Sequence, residues 1–334
     1  MNILFIFTGG TIGSAVSGDY ISTDSNKPYE LLEAYRNKYG FEHNYSVMNP
    51  YTGLSELNTG VTISKLIKCV SEVVNSDKCI YDGVIVTHGT DTLPYSAAAL
   101  AYALGNRCLP VCLVSSNYPI TDERANGVDN LHGAIKLLES NAMTTGVFVP
   151  YRNHDGVIYI HRASRLLETM AFSDEYFSVR NMYYGSITEN RFEINEDYSE
   201  QEESLAPTGI VKLSDVCTGV MRYHLFPGIR LEYPKEDKAY KCVLLESYHS
   251  GTMNTTYPEY QDYYEEMYKR GIPVYLTGIS KGVSYESTSL YEKLHIKPIY
   301  DMAPVAAYMK IWMLMAVGRK CDEETINSSL GGDI

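Results

Sequence analysis

Short apolar runs of strand length alternate with longer amphipathic segments along most of the chain. Asn2–Phe7, Gly83–Thr87 and residues 110–114 and 146–149 are almost continuously apolar. That is the pattern of strands covered on both faces, as in a parallel sheet. Residues 96–104 are rich in Ala and Leu and predict a helix. Val128, Leu131, Ile135 and Leu138 form one helical stripe. This alternation predicts an α/β fold, a mostly parallel sheet with helices on both faces.

The composition changes at residues 189–203, an acidic stretch poor in aliphatics that is followed by Pro207 and Gly209. It reads as a linker. The expected division is an N-terminal α/β catalytic domain over 1–188, an acidic linker over 189–207 and a smaller C-terminal α/β domain over 208–334. In that last part, residues 241–245 and 272–277 predict strands, and 259–270 and 304–318 predict helices.

With 334 residues, 45% of them hydrophobic, the chain is long enough for two cores. A net charge of -13 argues against nucleic acid and anionic membrane surfaces as partners. The first ten residues carry no basic flank and read as a buried strand rather than a leader. Residues 303–318 are interrupted by Lys310 and are too short to span a bilayer. The seven cysteines are odd in number, with no CxxC pair, which predicts reduced thiols and a cytoplasmic setting. His132, His154, His161 and His249 are dispersed, so no metal site and no cofactor is expected.

Two segments at predicted strand ends carry chemistry. Thr8-Gly9-Gly10-Thr11-Ile12-Gly13 follows the first strand. Ligands of open parallel sheets sit beyond the carboxyl ends of strands, and glycine lets the backbone approach closely. Thr11 is placed there as a nucleophile; the alternative is a plain tight turn or a nucleotide loop, although the spacing fits neither G-x-G-x-x-G nor a P-loop. Thr87-His88-Gly89-Thr90-Asp91-Thr92 follows the strand Gly83–Thr87. It gathers hydroxyls, an imidazole and a carboxylate, or else it caps the helix beginning near Pro94.

The pair FTGGTIG and THGTDTL resembles the two signature segments of the bacterial-type L-asparaginases. Residues 110–131, Ser247–Thr252 as SYHSGT, and the ending SSLGGDI are similar to further segments of that family, in its cytoplasmic type I branch. The resemblance implies a two-domain asparaginase-like fold and hydrolysis of a side-chain amide, foremost of L-asparagine. It also implies a small amino-acid substrate, no cofactor, and a homodimer or homotetramer in which a neighbour's second domain completes each site. Glu286 is the candidate for that contribution.

By the same resemblance, Thr11 attacks the amide carbonyl, Tyr20 in GDYIS helps to activate it, and Thr90 is the second catalytic threonine. Asp91 grips the α-ammonium and Ser55 binds the α-carboxylate. Backbone N–H groups of the two loops, at Gly10 and Gly89, stabilise the oxyanion. The family's lysine segment R-x-[ST]-K is matched by Arg162-Ala163-Ser164-Arg165, with Arg165 in the lysine's place and no lysine between Lys136 and Lys212. The spacing from Arg165 to Ala171-Phe172 is two residues shorter than the family's, and S-D-G reads Ala125-Asn126-Gly127. A guanidinium stays protonated where a lysine can yield its proton. The resemblance therefore leaves room for a weakened enzyme, for a non-catalytic amino-acid-binding or regulatory homologue, and for a hydrolase of another amide. An amidotransferase component is a further reading, against which stands the lack of an added N-terminal domain.

Overall fold

The structure is a computed structural model that describes residues 1–9, 14–17, 20–23, 27–107, 109–140, 144–235, 240–282 and 284–334, with the backbone alone for 14–17, 20–23, 27–29 and 107. β1 (Asn2–Phe7) leads to a hairpin of β2 (Ser14–Ser17) and β3 (Tyr20–Thr23), then to α1 (Lys27–Tyr39) and β4 (Asn44–Met48). α2 (Gly60–Val74), β5 (Gly83–Thr87), α3 (Leu93–Leu104), β6 (Val111–Val114), α4 (Gly127–Glu139) and β7 (Val147–Arg152) follow. β8 (Ile158–Arg162), β9 (Gly185–Thr188) and β10 (Arg191–Ile194) complete an eight-stranded sheet in the order β10-β9-β8-β7-β6-β5-β1-β4.

The alternation of β1 explains the layering. Leu4 and Ile6 face the core shared with α2 and α3, while Ile3, Phe5 and Phe7 face the one shared with α1 and α4. Both faces are covered, so the strand is apolar throughout. The sheet is parallel from β4 to β7 and antiparallel from β7 to β10. It is therefore mixed, and only its first half is the parallel sheet that the sequence pattern predicts. The reversal comes at Asn153–Gly156, where the Gly156 N–H donates to the Asn153 carbonyl and Gly156 takes a positive φ of 83°.

The acidic stretch from Glu189 does not begin as a linker. Glu189 and Asn190, with φ of 47° and 66°, form the two-residue turn that pairs β9 with β10, the left-handed geometry such hairpins need. The carboxylates that follow serve the first domain. Glu200 takes two hydrogen bonds from Arg162, both at 2.9 Å, and Glu203 accepts the backbone N–H groups of Asn106 and Gly331. Charge density in the sequence here reflects buried donors that need partners.

The second sheet is parallel: β11 (Val220–His224), β12 (Cys242–Glu246), β13 (Val274–Ile279) and β14 (Ile296–Tyr300), in that order. α5 (Pro258–Lys269) packs in its own core, whereas α6 (Pro304–Ala316) joins the core of α3. α7 (Glu323–Ile326) closes the described elements. Among the described residues no helix is long and apolar enough to cross a membrane, and no group of His, Cys, Asp and Glu could hold a metal. Six of the seven cysteines are free; Cys108 lies outside the described residues.

Candidate active site

The site forms where β1 and β5 end side by side, with Phe7 opposite Thr87. The Thr8 hydroxyl donates to the Thr87 carbonyl at 2.6 Å, and the Thr8 carbonyl accepts the Gly53 N–H at 3.1 Å. Gly9 turns the chain here with a φ of 97°, and a Cβ at this position would lie 2.4 Å from the Gly53 carbonyl oxygen. Only glycine fits such a conformation and such a contact. Gly10 and Thr11 lie outside the described residues. Tyr20 begins β3 as described by its backbone alone.

The second loop is held from below. His88 is fully buried; its Nδ1 donates to the Gly89 carbonyl at 2.7 Å, and its Nε2 accepts the Asn58 amide at 3.3 Å. Burial depresses its pKa, so the ring is neutral and acts as a fixed two-ended tie. Asn58 also donates to the Thr92 hydroxyl at 3.0 Å, and that hydroxyl donates to the Ser55 carbonyl at 2.9 Å. Thr92 stands at the N-cap position of α3 but makes no side-chain cap. The loop residues thus bind one another across segments, which disfavours the capping alternative.

Ser55, Thr90, Asp91 and Gly89 come together. The Ser55 hydroxyl donates to Asp91 Oδ2 at 3.2 Å. Ser55 and Gly89 are buried, Thr90 is half-buried and Asp91 is exposed. The Tyr176 hydroxyl donates to the Thr90 carbonyl at 2.6 Å, which fixes the backbone at that residue. Thr90 and Asp91 line a cavity of about 350 Å³ with Asn117, Tyr151, Tyr176 and the segment 169–174. Met170 and Phe172 stand exposed on its rim, Phe172 with a φ of 64°, a strained conformation for a bulky residue.

Arg165 is elsewhere. Its Nε donates to the Gly332 carbonyl at 2.8 Å, and its guanidinium lies 5.0 Å from the centre of the Tyr198 ring. The adjoining Gly331 abuts the Ala101 carbonyl, more than two helical turns beyond Thr92, roughly 13 Å at the rise of an α-helix. No hydrogen bond or ion pair joins Arg165 to Thr90 or Asp91, and no lysine or arginine lines the cavity, among the described residues. From Arg165 the chain runs back along α3 to Glu168, which ion-pairs with Arg222 at 2.7 Å; Arg222 also binds Glu246 and Tyr95. That clasp ties the cavity's rim to β11 and β12. Glu286 is exposed beside the turn Ser287–Leu290 of the second domain.

Tyr151, Tyr176 and Asn117 were not singled out from the sequence. The signal was present: Tyr151 lies at the carboxyl end of β7 and Asn117 just beyond that of β6, the same rule that marked the two threonine loops.

The family description "Asparaginase, N-terminal" matches residues 2–200. A glutamyl-tRNA(Gln) amidotransferase component from Thermococcus kodakarensis is 26% identical over 264 residues, covering 75% of this chain and 57% of that protein. The chain spans about half the length of the curated relatives it matches. The thermostable L-asparaginase from Thermococcus kodakarensis superposes with a TM-score of 0.78 at 21% identity, covering 100% of this chain and 99% of that one. The probable cytoplasmic L-asparaginase from Campylobacter jejuni superposes at 0.70 and 20% identity, with 98% of each chain covered. Both structures share the two-domain α/β architecture, and the family match takes in both threonine loops, Ser55 and the segment through Arg165: the chain belongs to the asparaginase family.

Proposed function

We propose that this chain is an amidohydrolase that cleaves the side-chain amide of a small amino acid, L-asparagine foremost, to the acid and ammonia. The observation that carries the reading is the hydrogen bond from Ser55 to Asp91, the carboxylate that lines the cavity beside Thr90. It places a carboxylate for an ammonium and a hydroxyl for a carboxylate side by side, the two charged ends of an α-amino acid. Thr11 adds to the amide carbonyl, the C–N bond breaks with a proton passing to the leaving ammonia, and water then hydrolyses the acyl-threonine. Gly10 and Gly89 offer N–H groups to the oxyanion, and Tyr20 assists Thr11. The working form is a cytoplasmic homodimer or homotetramer in which Glu286 of a second copy reaches the site, without metal or cofactor. Ammonia release from L-asparagine, with L-glutamine and D-asparagine as controls, tests the reaction. Binding without release would turn the reading to an amino-acid-binding homologue. Preference for glutamine would turn it towards the chemistry named for the amidotransferase relative.

Substitutions at two positions separate binding from catalysis. Asp91→Asn raises the half-saturation concentration for L-asparagine at least about tenfold, ~1.4 kcal/mol, because a charge-assisted contact to ammonium is lost; an unchanged value removes Asp91 from substrate binding. Arg165 holds Gly332 and Tyr198 rather than Thr90, so Arg165→Lys leaves turnover within about twofold of the native protein, well below the 10²–10⁴-fold span of a restored acid–base group. A gain within that span would restore Arg165 to the catalytic machinery.

A further inference from the structure

Tyr151 ends the parallel half of the sheet in an unusual state. It is 0% exposed, and its hydroxyl oxygen is buried without a hydrogen-bond partner. Native structures rarely leave such a group unpaired, since its desolvation is uncompensated. Asn126 is its polar neighbour: the amide donates one hydrogen to the Arg152 carbonyl and turns the other towards the Tyr151 oxygen, short of full hydrogen-bond geometry, while the amide oxygen accepts the Asn117 N–H. Asn126 thus meets the Tyr151 oxygen only as a donor and takes no proton from it. Tyr176 gives its own hydroxyl to Thr90, and its ring meets that of Tyr151 edge-on, centroids 4.8 Å apart at 77°. Packing therefore fixes the Tyr151 ring while nothing in the chain claims its O–H. Yet Tyr151 lines the cavity that holds Thr90 and Asp91.

We propose that Tyr151 is a substrate-contacting residue, its hydroxyl donating a hydrogen bond to an acceptor oxygen at the amide end of an amino-acid ligand seated on Ser55 and Asp91. The assignment rests on the amidohydrolase reading above. Asp91 answers the ammonium and Ser55 the carboxylate, which leaves the amide end to the other polar groups of the cavity; among these the Tyr151 hydroxyl is the one that is buried without a hydrogen-bond partner. Burial pushes the hydroxyl up to about 12, so it keeps its proton at neutral pH and offers it to an uncharged amide oxygen. A donor held in a dry pocket for one ligand atom discriminates against ligands that lack an acceptor there.

Tyr151→Phe removes the oxygen and keeps the ring. The melting temperature of the unliganded variant should equal or exceed that of the native protein, because an unpaired buried hydroxyl contributes no bond to the fold. Calorimetric affinity for L-asparagine and kcat/KM for ammonia release should both fall about 3- to 10-fold, the range of one neutral hydrogen bond. The rise in melting temperature on adding L-asparagine should shrink accordingly. A variant that melts lower while binding L-asparagine as tightly as the native protein would show a structural hydroxyl and overturn the assignment. Native binding and turnover in the variant, with the native protein active, would overturn it alone. A native protein that neither binds nor hydrolyses L-asparagine, L-glutamine or D-asparagine would overturn the amidohydrolase reading, and this assignment with it.

Discussion

Lys310→Met should lower stability by about 3–5 kcal/mol, the cost of leaving a buried charge without its partner. Lys310 sits within α6 with its side chain wholly buried, and Nζ lies 2.7 Å from Asp333 Oδ2, which is equally buried. The ammonium also donates to the Ser328 carbonyl at 2.5 Å and lies 5.7 Å from the centre of the Tyr102 ring. Asp333 Oδ1 accepts the Leu330 N–H at 3.0 Å. Methionine matches the length of the stem but not the charge, so Asp333 would be stranded. Urea unfolding of the variant should show a midpoint clearly below that of the native chain with the slope retained. Adding Asp333→Asn should recover part of the loss, because neutral partners need no counter-ion. A variant as stable as the native protein would mean that water reaches the pair.

Thr11→Ala should lower turnover by a factor on the order of 10⁴ or more, as removal of a nucleophile does in hydrolases that act through a covalent intermediate. The fold should be untouched, since the core behind β1 is made by residues 3–7. Ammonia release under single-turnover conditions, beside calorimetric binding of L-asparagine, separates the two effects. Lost turnover with binding retained is the expected result. Retained turnover would remove Thr11 from the mechanism and turn attention to Thr90, the second threonine that the family resemblance marks as catalytic.

The central strands β1, β5, β6 and β7 were legible because they are buried on both faces and therefore apolar without interruption, as at Val84–Val86 and Leu113–Val114; the parallel edge strand β4 was not, because four of its five residues are exposed. The outer strands were not legible for the converse reason. In β10, Arg191, Glu193 and Ile194 are exposed, so the strand looks like the loop around it. The clustering of glycine and threonine marked Gly89, Thr90 and Asp91 at the end of β5, and the family resemblance marked Ser55, which hydrogen-bonds to Asp91. The place of Arg165 was not legible. A motif gives a residue's position along the chain but not the direction in which its side chain leaves. Here the free carbonyls at Gly331 and Gly332 take Ser164 and Arg165 in the direction away from Thr90.

Those two glycines have a consequence for biosynthesis. Ser164 and Arg165 find their carbonyl partners 167 residues later in the chain, an interval of about 8–30 s at the speed of a ribosome. Throughout that time the nascent first domain carries a half-built floor under α3, with Ala101 and the Arg165 side chain lacking the strand of backbone that covers them. Gly331 and Gly332 therefore act as a latch on a domain whose own strands and helices are made well before them.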